Sequence, residues 1–106
     1  MQELSESSFD DEIKSARKPA ICFFWSSFCR PSRQMSVMLS TIEKKYSDSA
    51  SFFSINLEAN PRLSDRAGVL VIPTVIIYRS GRVLARVFGL APESEIVEAI
   101  EDAIVS

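Results

Sequence analysis

The sequence predicts an α/β fold in which a mixed central sheet carries helices on both faces. Helical and extended patterns alternate along the first half of the chain, which favours parallel strands connected by helices. Two extended patterns on either side of Gly81 then favour an antiparallel hairpin near the end. The 106 residues fit one domain, so we expect a single unit over residues 1–106.

The first predicted strand has a helix on each side of it. Ser7 or Ser8 is a suitable cap for a helix that runs to about Ala16. The apolar run Ala20–Trp25 is rich in strand formers, so we expect a strand buried on both faces. Pro31 then fits the first turn of a long amphipathic helix. The apolar face of that helix contains Met35, Met38, Leu39, Ile42 and Tyr46.

The middle of the chain predicts a second strand and a short helix. Residues 51–57 alternate between apolar and polar side chains, which is typical of a strand. Asn60 followed by Pro61 is typical of a helix start, and this short helix is expected to end at about Ala67.

A hairpin follows Gly68. Residues 74–78 predict an apolar strand, residues 79–81 (Arg-Ser-Gly) a turn, and Arg82–Phe88 the returning strand. One face of the returning strand is expected to carry Val83, Ala85 and Val87.

The last predicted element is a helix that Pro92 starts. Glu93 and Glu95 lie in its first turn, where the positive end of the helix dipole favours acidic side chains. Its apolar face contains Ile96, Val97, Ile100 and Ile104.

The composition argues against several classes of partner. A net charge of −2 and the absence of a Lys/Arg block argue against nucleic-acid binding. The longest apolar runs, Ala20–Trp25 and residues 69–77, are too short to cross a membrane. The N-terminal residues are polar and acidic, unlike a signal peptide. We therefore expect a cytoplasmic protein that binds neither nucleic acid nor membrane.

Two cysteines and no histidine narrow the possible chemistry. A zinc site needs about four ligands, which these residues do not supply, so we expect no bound metal. Serine triads and cysteine–histidine pairs both require an imidazole. The glycines, Gly68, Gly81 and Gly89, do not form a phosphate-binding loop. Of these types of site, the one that remains is a reactive cysteine that is activated by the surrounding backbone.

Cys29 is the candidate nucleophile. It lies at the turn between the buried strand and the helix that contains Pro31. Unpaired backbone N–H groups and the positive end of the dipole at a helix start favour the thiolate, which is the form that attacks disulfides. Arg30 adds a neighbouring positive charge. The polar neighbours argue against the alternative role of a buried structural cysteine.

The other cysteine, Cys22, lies in the middle of the predicted strand Ala20–Trp25. We expect it to behave as a small buried apolar residue. The extended chain between the two cysteines should separate them beyond the range of a disulfide, so Cys22 does not replace a resolving thiol.

Five segments of the sequence together carry a family resemblance. They are residues 24–32 around Cys29, residues 56–61, Ile72-Pro73-Thr74, residues 78–81 and Phe88-Gly89. In this order and spacing they resemble the thioredoxin family over nearly the whole chain. The resemblance implies the thioredoxin fold.

The resemblance also implies a function and a site. The expected activity is the reduction of disulfides in partner proteins, with Cys29 as nucleophile and Ser32 at the resolving position. Ile72-Pro73-Thr74 looks like the family's cis-proline loop, which lies beside the active cysteine and guides the backbone of the partner. The apolar docking surface would consist of Trp25, Phe28, Ile72 and Gly89.

The resemblance identifies the expected partners too. Electrons would come from a thioredoxin reductase, either flavin- or iron–sulfur-dependent, and would pass to disulfide-containing protein substrates. The domain itself would hold no cofactor. We expect a monomer.

Ser32 departs from the family motif Cys-x-x-Cys, because the chain reads Cys29-Arg30-Pro31-Ser32. In a dithiol enzyme the first thiolate attacks and the second resolves the mixed disulfide, a step for which serine lacks the nucleophilicity. The leading interpretation is an engineered serine that traps the mixed disulfide. The alternative is a natural monothiol variant, a binding module or chaperone without net redox turnover.

Four further positions differ from the family pattern. Phe23 and Ser54 stand where many thioredoxins carry a buried acid and a lysine, which brings assisted proton transfer and the usual redox tuning into question. Arg30 replaces a common glycine, and Phe28 replaces the usual tryptophan. The arginine suggests a different partner surface or redox potential, whereas the phenylalanine is a mild change that keeps an aromatic side chain at the edge of the site.

Overall fold

One mixed sheet connects all the strands of the chain. In the computed structural model, which describes residues 1–106, the sheet has five strands in the order β1-β3-β2-β4-β5. The first three are mutually parallel, and β4 and β5 run antiparallel to their neighbours. The predicted fold class is therefore confirmed. The elements are β1 (Gln2–Glu3), α1 (Phe9–Ser15), β2 (Ala20–Trp25), α2 (Arg30–Tyr46), β3 (Ser51–Asn56), α3 (Pro61–Arg66), β4 (Thr74–Arg79), β5 (Arg82–Phe88) and α4 (Glu93–Val105).

The strand β2 is buried on both faces, as its continuous apolar run predicts. Ile21 and Phe23 belong to one core, which α2 and α4 cover. Cys22 and Phe24 point to the opposite face and belong to a second core, which α1 and α3 cover. Because side chains alternate along a strand, one short segment anchors both layers of helices.

The helix α2 begins directly after the turn that follows β2. Arg30 is its first residue, one position before the predicted start, and Pro31 lies in the first turn. Its buried face includes Met35, Leu39 and Ile42, at the spacing expected of a helix that packs on a sheet. None of the helices has the combination of length and apolar content needed to cross a bilayer.

The predicted serine and asparagine caps do not make cap hydrogen bonds. Ser8 precedes α1, but its hydroxyl accepts a hydrogen bond from the backbone N–H of Ser5 instead. Asn60 precedes α3, and its side-chain oxygen accepts from the backbone N–H of Glu6 at 3.0 Å. The carboxylate of Glu6 in turn accepts from the N–H of Leu63, so a distant side chain caps α3.

The short strand β1 does not follow from the sequence pattern. Gln2 pairs with Phe53 and Glu3 with Ser54 at the edge of the sheet, and both β1 residues are exposed. A strand of two exposed residues shows no apolar period. Its position is set by pairing with β3 and by the hydrogen bond from the N–H of Leu4 to the carbonyl of Ser54.

The expected face of β5 is interrupted by a shift in register. Ala85 pairs with Ile77, whereas Val83 pairs with Tyr78, so Leu84 is an extra residue opposite β4. The extra residue turns Val83 to the face of the sheet opposite Ala85, where it is exposed. The expectation that Val83 and Ala85 share one face is therefore wrong.

Packing of α2 against the sheet can be tested with two substitutions on the same helix. Leu39→Ala removes a fully buried side chain and is expected to lower the free energy of unfolding by about 2–5 kcal/mol. Val37→Ala changes an exposed position and is expected to cost about 0.5 kcal/mol or less. Urea denaturation of both variants measures the difference, and equal costs would contradict the placement of this helix face.

Candidate functional site

Cys29 lies where the chain leaves the sheet and enters α2. The turn before it is held by hydrogen bonds from the N–H of Cys29 to the carbonyl of Ser26 (3.3 Å) and from the N–H of Phe28 to the hydroxyl of Ser26 (3.2 Å). Cys29 occupies the N-cap position with an extended backbone and is partly exposed. The strand end and the helix start therefore place the sulfur at the surface.

A second loop brings Ile72 next to the sulfur. Sγ of Cys29 is 3.7 Å from the backbone carbonyl oxygen of Ile72, within reach of a weak S–H donor. The peptide bond between Ile72 and Pro73 is cis. The N–H of Gly89 donates to the carbonyl of Pro73 at 2.7 Å, which ties this loop to the end of β5.

The residues Ile72, Pro73 and Thr74 of this second loop differ in which hydrogen-bonding groups are free for a partner. Thr74 is fully buried, and its hydroxyl donates to the carbonyl of Val71. Its side chain therefore stabilises the loop and is not accessible to a partner. Pro73 is buried as well, and its carbonyl already accepts a hydrogen bond from the N–H of Gly89. The N–H of Ile72 makes no hydrogen bond within the chain. A partner backbone would therefore find its free donor at Ile72.

Ser32 lies one helical turn beyond Cys29, and its side chain is fully enclosed. It is 1% exposed, and its hydroxyl oxygen accepts a hydrogen bond from the N–H of Ser26 at 3.3 Å. Its own N–H donates to the carbonyl of Cys29 at 3.1 Å. The hydroxyl of Ser32, which the resemblance assigns to the resolving position, thus has a hydrogen-bond partner within the chain. Arg30 and Pro31, between the two, are exposed.

Cys22 is separated from the site by the sheet itself. Its side chain points into the core beneath α1 and α3 and is completely inaccessible to solvent. Burial raises the pKa of the Cys22 thiol, because the thiolate would lose its hydration. Both cysteines are free, so the chain contains one enclosed thiol and one accessible thiol.

Glu58 supports the turn before Cys29, a contact that the sequence analysis does not predict. Its carboxylate accepts hydrogen bonds from both the N–H (3.1 Å) and the hydroxyl (2.8 Å) of Ser27. These bonds, first of all the one from the Ser27 hydroxyl, lower the pKa of Glu58. The only signal in the sequence is that Glu58 follows the strand next to β2.

Exposed apolar side chains flank the two segments that approach Cys29. Phe28 is 86% exposed and Leu70 is 90% exposed, values unusual for large apolar residues. Of the other predicted docking residues, Trp25, Ile72 and Gly89 are half-buried. Four exposed apolar residues near Ile72 and Gly89 are not predicted as docking residues by the sequence analysis: Leu70, Val71, Phe88 and Leu90.

No charged pair lies beneath the site. Phe23 is packed in the core under α2, and Ser54 is its direct partner in the register of β2 and β3. Ser54 is half-buried, and its hydroxyl makes no hydrogen bond. No group of three or more His, Cys, Asp or Glu side chains suited to a metal ion occurs in the chain.

Comparison with known proteins agrees with this geometry. A family model described as thioredoxin matches residues 1–102. The chain belongs to the thioredoxin family. It is 30% identical over 104 residues to a thioredoxin of Rhodospirillum rubrum, covering 98% of this chain and 100% of that protein. It is also 26% identical over 101 residues to a thioredoxin of Alicyclobacillus acidocaldarius, covering 95% of both chains.

Thioredoxin-family proteins are thiol–disulfide oxidoreductases, and the family match covers residues 1–102 of this chain. A thioredoxin from Griffithsia pacifica covers all of the chain at 26% identity, so no large insertion distinguishes the chain from that protein. Within this thioredoxin-family chain, Cys29 is the only cysteine that a partner in solution can reach.

The two cysteines are expected to differ strongly in reactivity. Cys29 is accessible, whereas Cys22 reacts only when the core opens and has a raised pKa. Alkylation of the native protein with iodoacetamide at neutral pH should label Cys29 at least about a hundredfold faster than Cys22. Peptide mass mapping over time measures both rates. Similar rates at the two positions would contradict the burial of Cys22.

The Ser27–Glu58 contact is expected to depend on pH. Because the pKa of Glu58 is lowered in the folded chain, the contact is complete at neutral pH and is lost as the pH falls through that lowered value. The NMR shift of the Ser27 amide should follow this titration, below the ordinary range of a glutamate. The Glu58→Ala variant should lack it. A Ser27 titration at or above the ordinary glutamate value would be inconsistent with the contact.

Proposed function

We propose that this chain forms mixed disulfides with disulfide-containing proteins through Cys29. The observation that carries the proposal is the placement of one accessible thiol at the start of α2, with its sulfur 3.7 Å from the carbonyl oxygen of Ile72 on the neighbouring loop. This arrangement lets a partner sulfur reach Cys29 while the partner backbone lies along Ile72.

The proposed reaction is one step of thiol–disulfide exchange. The Cys29 thiolate attacks one sulfur of the partner disulfide, a new bond forms to Sγ, and the other partner sulfur leaves as a thiolate. Electrons are conserved in this step, because one disulfide replaces another.

The partner is proposed to dock as an extended segment. The free N–H of Ile72 can donate to a partner carbonyl, as in the addition of a strand. The exposed ring of Phe28 and the half-buried Trp25 and Gly89 offer apolar contact on either side. Affinity would come from the backbone pairing, and the apolar contacts would select the flanking residues.

Ser32 determines whether the mixed disulfide can be resolved within the chain. A hydroxyl has a pKa far above neutral, so almost no alkoxide is available to attack the mixed disulfide. The chain as it stands therefore captures a partner and keeps it until an outside thiol acts. With a cysteine at position 32, the same site would resolve the adduct internally, and a thioredoxin reductase would return the electrons.

A second candidate is a binding module without net turnover. Two observations favour it. The hydroxyl of Ser32 is enclosed and hydrogen-bonded, and the buried position beneath the site carries Phe23 instead of an acidic residue. Reduction of insulin by the Ser32→Cys variant, with dithiothreitol as electron donor, separates the two. Turnover favours the oxidoreductase, and its absence favours the module.

Capture of a partner gives the direct test. The unaltered chain mixed with insulin is expected to form a covalent adduct that persists on non-reducing gels. In the Ser32→Cys variant a second thiol lies one turn from Cys29, so the adduct should disappear while reduced insulin chains accumulate.

Matched cysteine variants serve as controls for this test. Cys29→Ala should abolish the adduct, whereas Cys22→Ala should leave its yield unchanged, because Cys22 is enclosed in the core. Absence of the adduct with the unaltered chain, or equal accumulation with the Ser32→Cys variant, would refute the assignment of nucleophile and resolving position.

A further inference from the structure

Arg86 connects the edge of the sheet to the end of α3. It lies on the edge strand β5, where it pairs with Ile76 of β4. Its side chain extends to the residue that follows α3, and Nη1 donates a hydrogen bond to the carbonyl oxygen of Ala67 at 2.7 Å. Arg86 takes part in no ion pair, so this carbonyl is the one partner of its guanidinium within the chain.

The ending of α3 leaves the carbonyl of Ala67 free for this bond. The N–H groups of Gly68 and Val69 donate back to carbonyls of the last helical turn, at 3.1 and 3.0 Å. Gly68 has a φ of 74°, the left-handed conformation that is typical of this helix ending. A Cβ added to Gly68 would lie 3.3 Å from Nη1 of Arg86, so the guanidinium lies against the first residue beyond the helix end.

The loop that follows Ala67 leads to Pro73 and contains Ile72. The N–H groups of residues 70–72 make no hydrogen bond within the chain, so the backbone of this loop is tied to the sheet near its two ends. At one end, the N–H of Gly89 donates to the carbonyl of Pro73. At the other end, the tie is the bond from Arg86 to Ala67. Both ties therefore come from β5 and the residue that follows it.

We propose that Arg86 is a positioning residue for the capture of partner proteins. The inference rests on the proposed function, in which the partner backbone lies along Ile72. By holding Ala67, Arg86 fixes the start of the loop and thereby the place where Ile72 meets an extended partner segment. The reacting thiolate has no proton to donate to the carbonyl of Ile72. A shift of the loop is therefore expected to impair docking and to leave the reaction of Cys29 with small molecules nearly unchanged.

The test compares two disulfides, of which only one has a backbone to dock. Insulin offers polypeptide segments, whereas 2-hydroxyethyl disulfide offers the same type of reacting bond without peptide groups. Both react by the same exchange, in which Sγ of Cys29 forms a bond to one sulfur and the other sulfur leaves as a thiolate. Each disulfide is used in large excess, and mass spectrometry of the adduct over time gives the rate constant of its formation.

Substitution of Arg86 should affect the two disulfides differently. Arg86→Met keeps most of the apolar stem of the side chain but cannot donate to Ala67. It is expected to slow the capture of insulin about threefold, in the range of the loss of one hydrogen bond. The rate with 2-hydroxyethyl disulfide should stay nearly unchanged. Arg86→Lys, which keeps a cationic donor, should retain most of the insulin rate.

Arg79 provides a matched control in the same hairpin. Its guanidinium donates to the carbonyl of Ala103 near the end of α4 at 3.2 Å, so Arg79→Met removes a hydrogen bond of the same kind. Arg79 is the last residue of β4, at the end of the strand away from Thr74 and therefore away from the loop that contains Ile72. Arg79→Met should leave both rate constants unchanged, even where urea denaturation shows an equal or larger loss of stability.

Hydrogen exchange measures the anchoring of the loop without any reaction at Cys29. The amides of Gly68 and Val69 are hydrogen-bonded at the end of α3, beside the carbonyl that Arg86 holds. Arg86→Met should raise their exchange rates about threefold or more, because the helix end opens more often when this tie is absent. Arg79→Met should leave the exchange of both amides unchanged. Unchanged exchange in Arg86→Met would overturn the inference, whatever the capture experiments show.

Failure of the inference and failure of the proposed function give different results. An unchanged insulin rate in Arg86→Met, equal slowing of both disulfides, or equal slowing of insulin by Arg79→Met would each overturn the role of Arg86. In all three cases, capture of insulin by the unaltered chain would still support the proposed function. If the unaltered chain reacts with 2-hydroxyethyl disulfide but forms no adduct with insulin, the proposed docking is wrong and the inference falls with it.

Discussion

Burial of β2 on both faces is the constraint on which the rest of the structure depends. The strand lies between β3 and β4, and its side chains alternate between the two cores. Each fully buried aromatic side chain, such as Phe23 or Phe24, contributes about 1.5–3 kcal/mol relative to an exposed one. A strand held this firmly fixes the point where the chain leaves the sheet. Cys29 follows that point after the turn of residues 26–28, so burial of the strand also positions the thiol.

The site itself is a meeting of loops that are each tied to the sheet. The carbonyl of Ile72 reaches the sulfur of Cys29, and the loop of Ile72 is held to β5 through Gly89. On the other side, Glu58 holds the turn through Ser27. Elements of the sheet thus support the short segments that carry the accessible thiol.

Position 32 determines how the proposed exchange at Cys29 ends. The hydroxyl of Ser32 accepts a hydrogen bond from the N–H of Ser26, and no buried polar side-chain atom of the chain lacks a partner. The enclosed position is therefore compatible with a serine. A hydroxyl is not ionised near neutral pH, so under our proposal a mixed disulfide at Cys29 would persist until an outside thiol acts, whereas a cysteine at position 32 would resolve it.

The sequence by itself determined the fold class, most helices and strands, and the turn position of Cys29. Apolar periods and prolines such as Pro31 are local signals, and they act within a few residues. Tertiary structure alone decided the edge strand β1, the extra residue Leu84 in β5 and the contact of Glu58 with Ser27, 31 residues apart. It also placed Thr74 beneath the docking surface. These features depend on partners that are distant in the chain, and no local pattern of residues specifies which groups will meet.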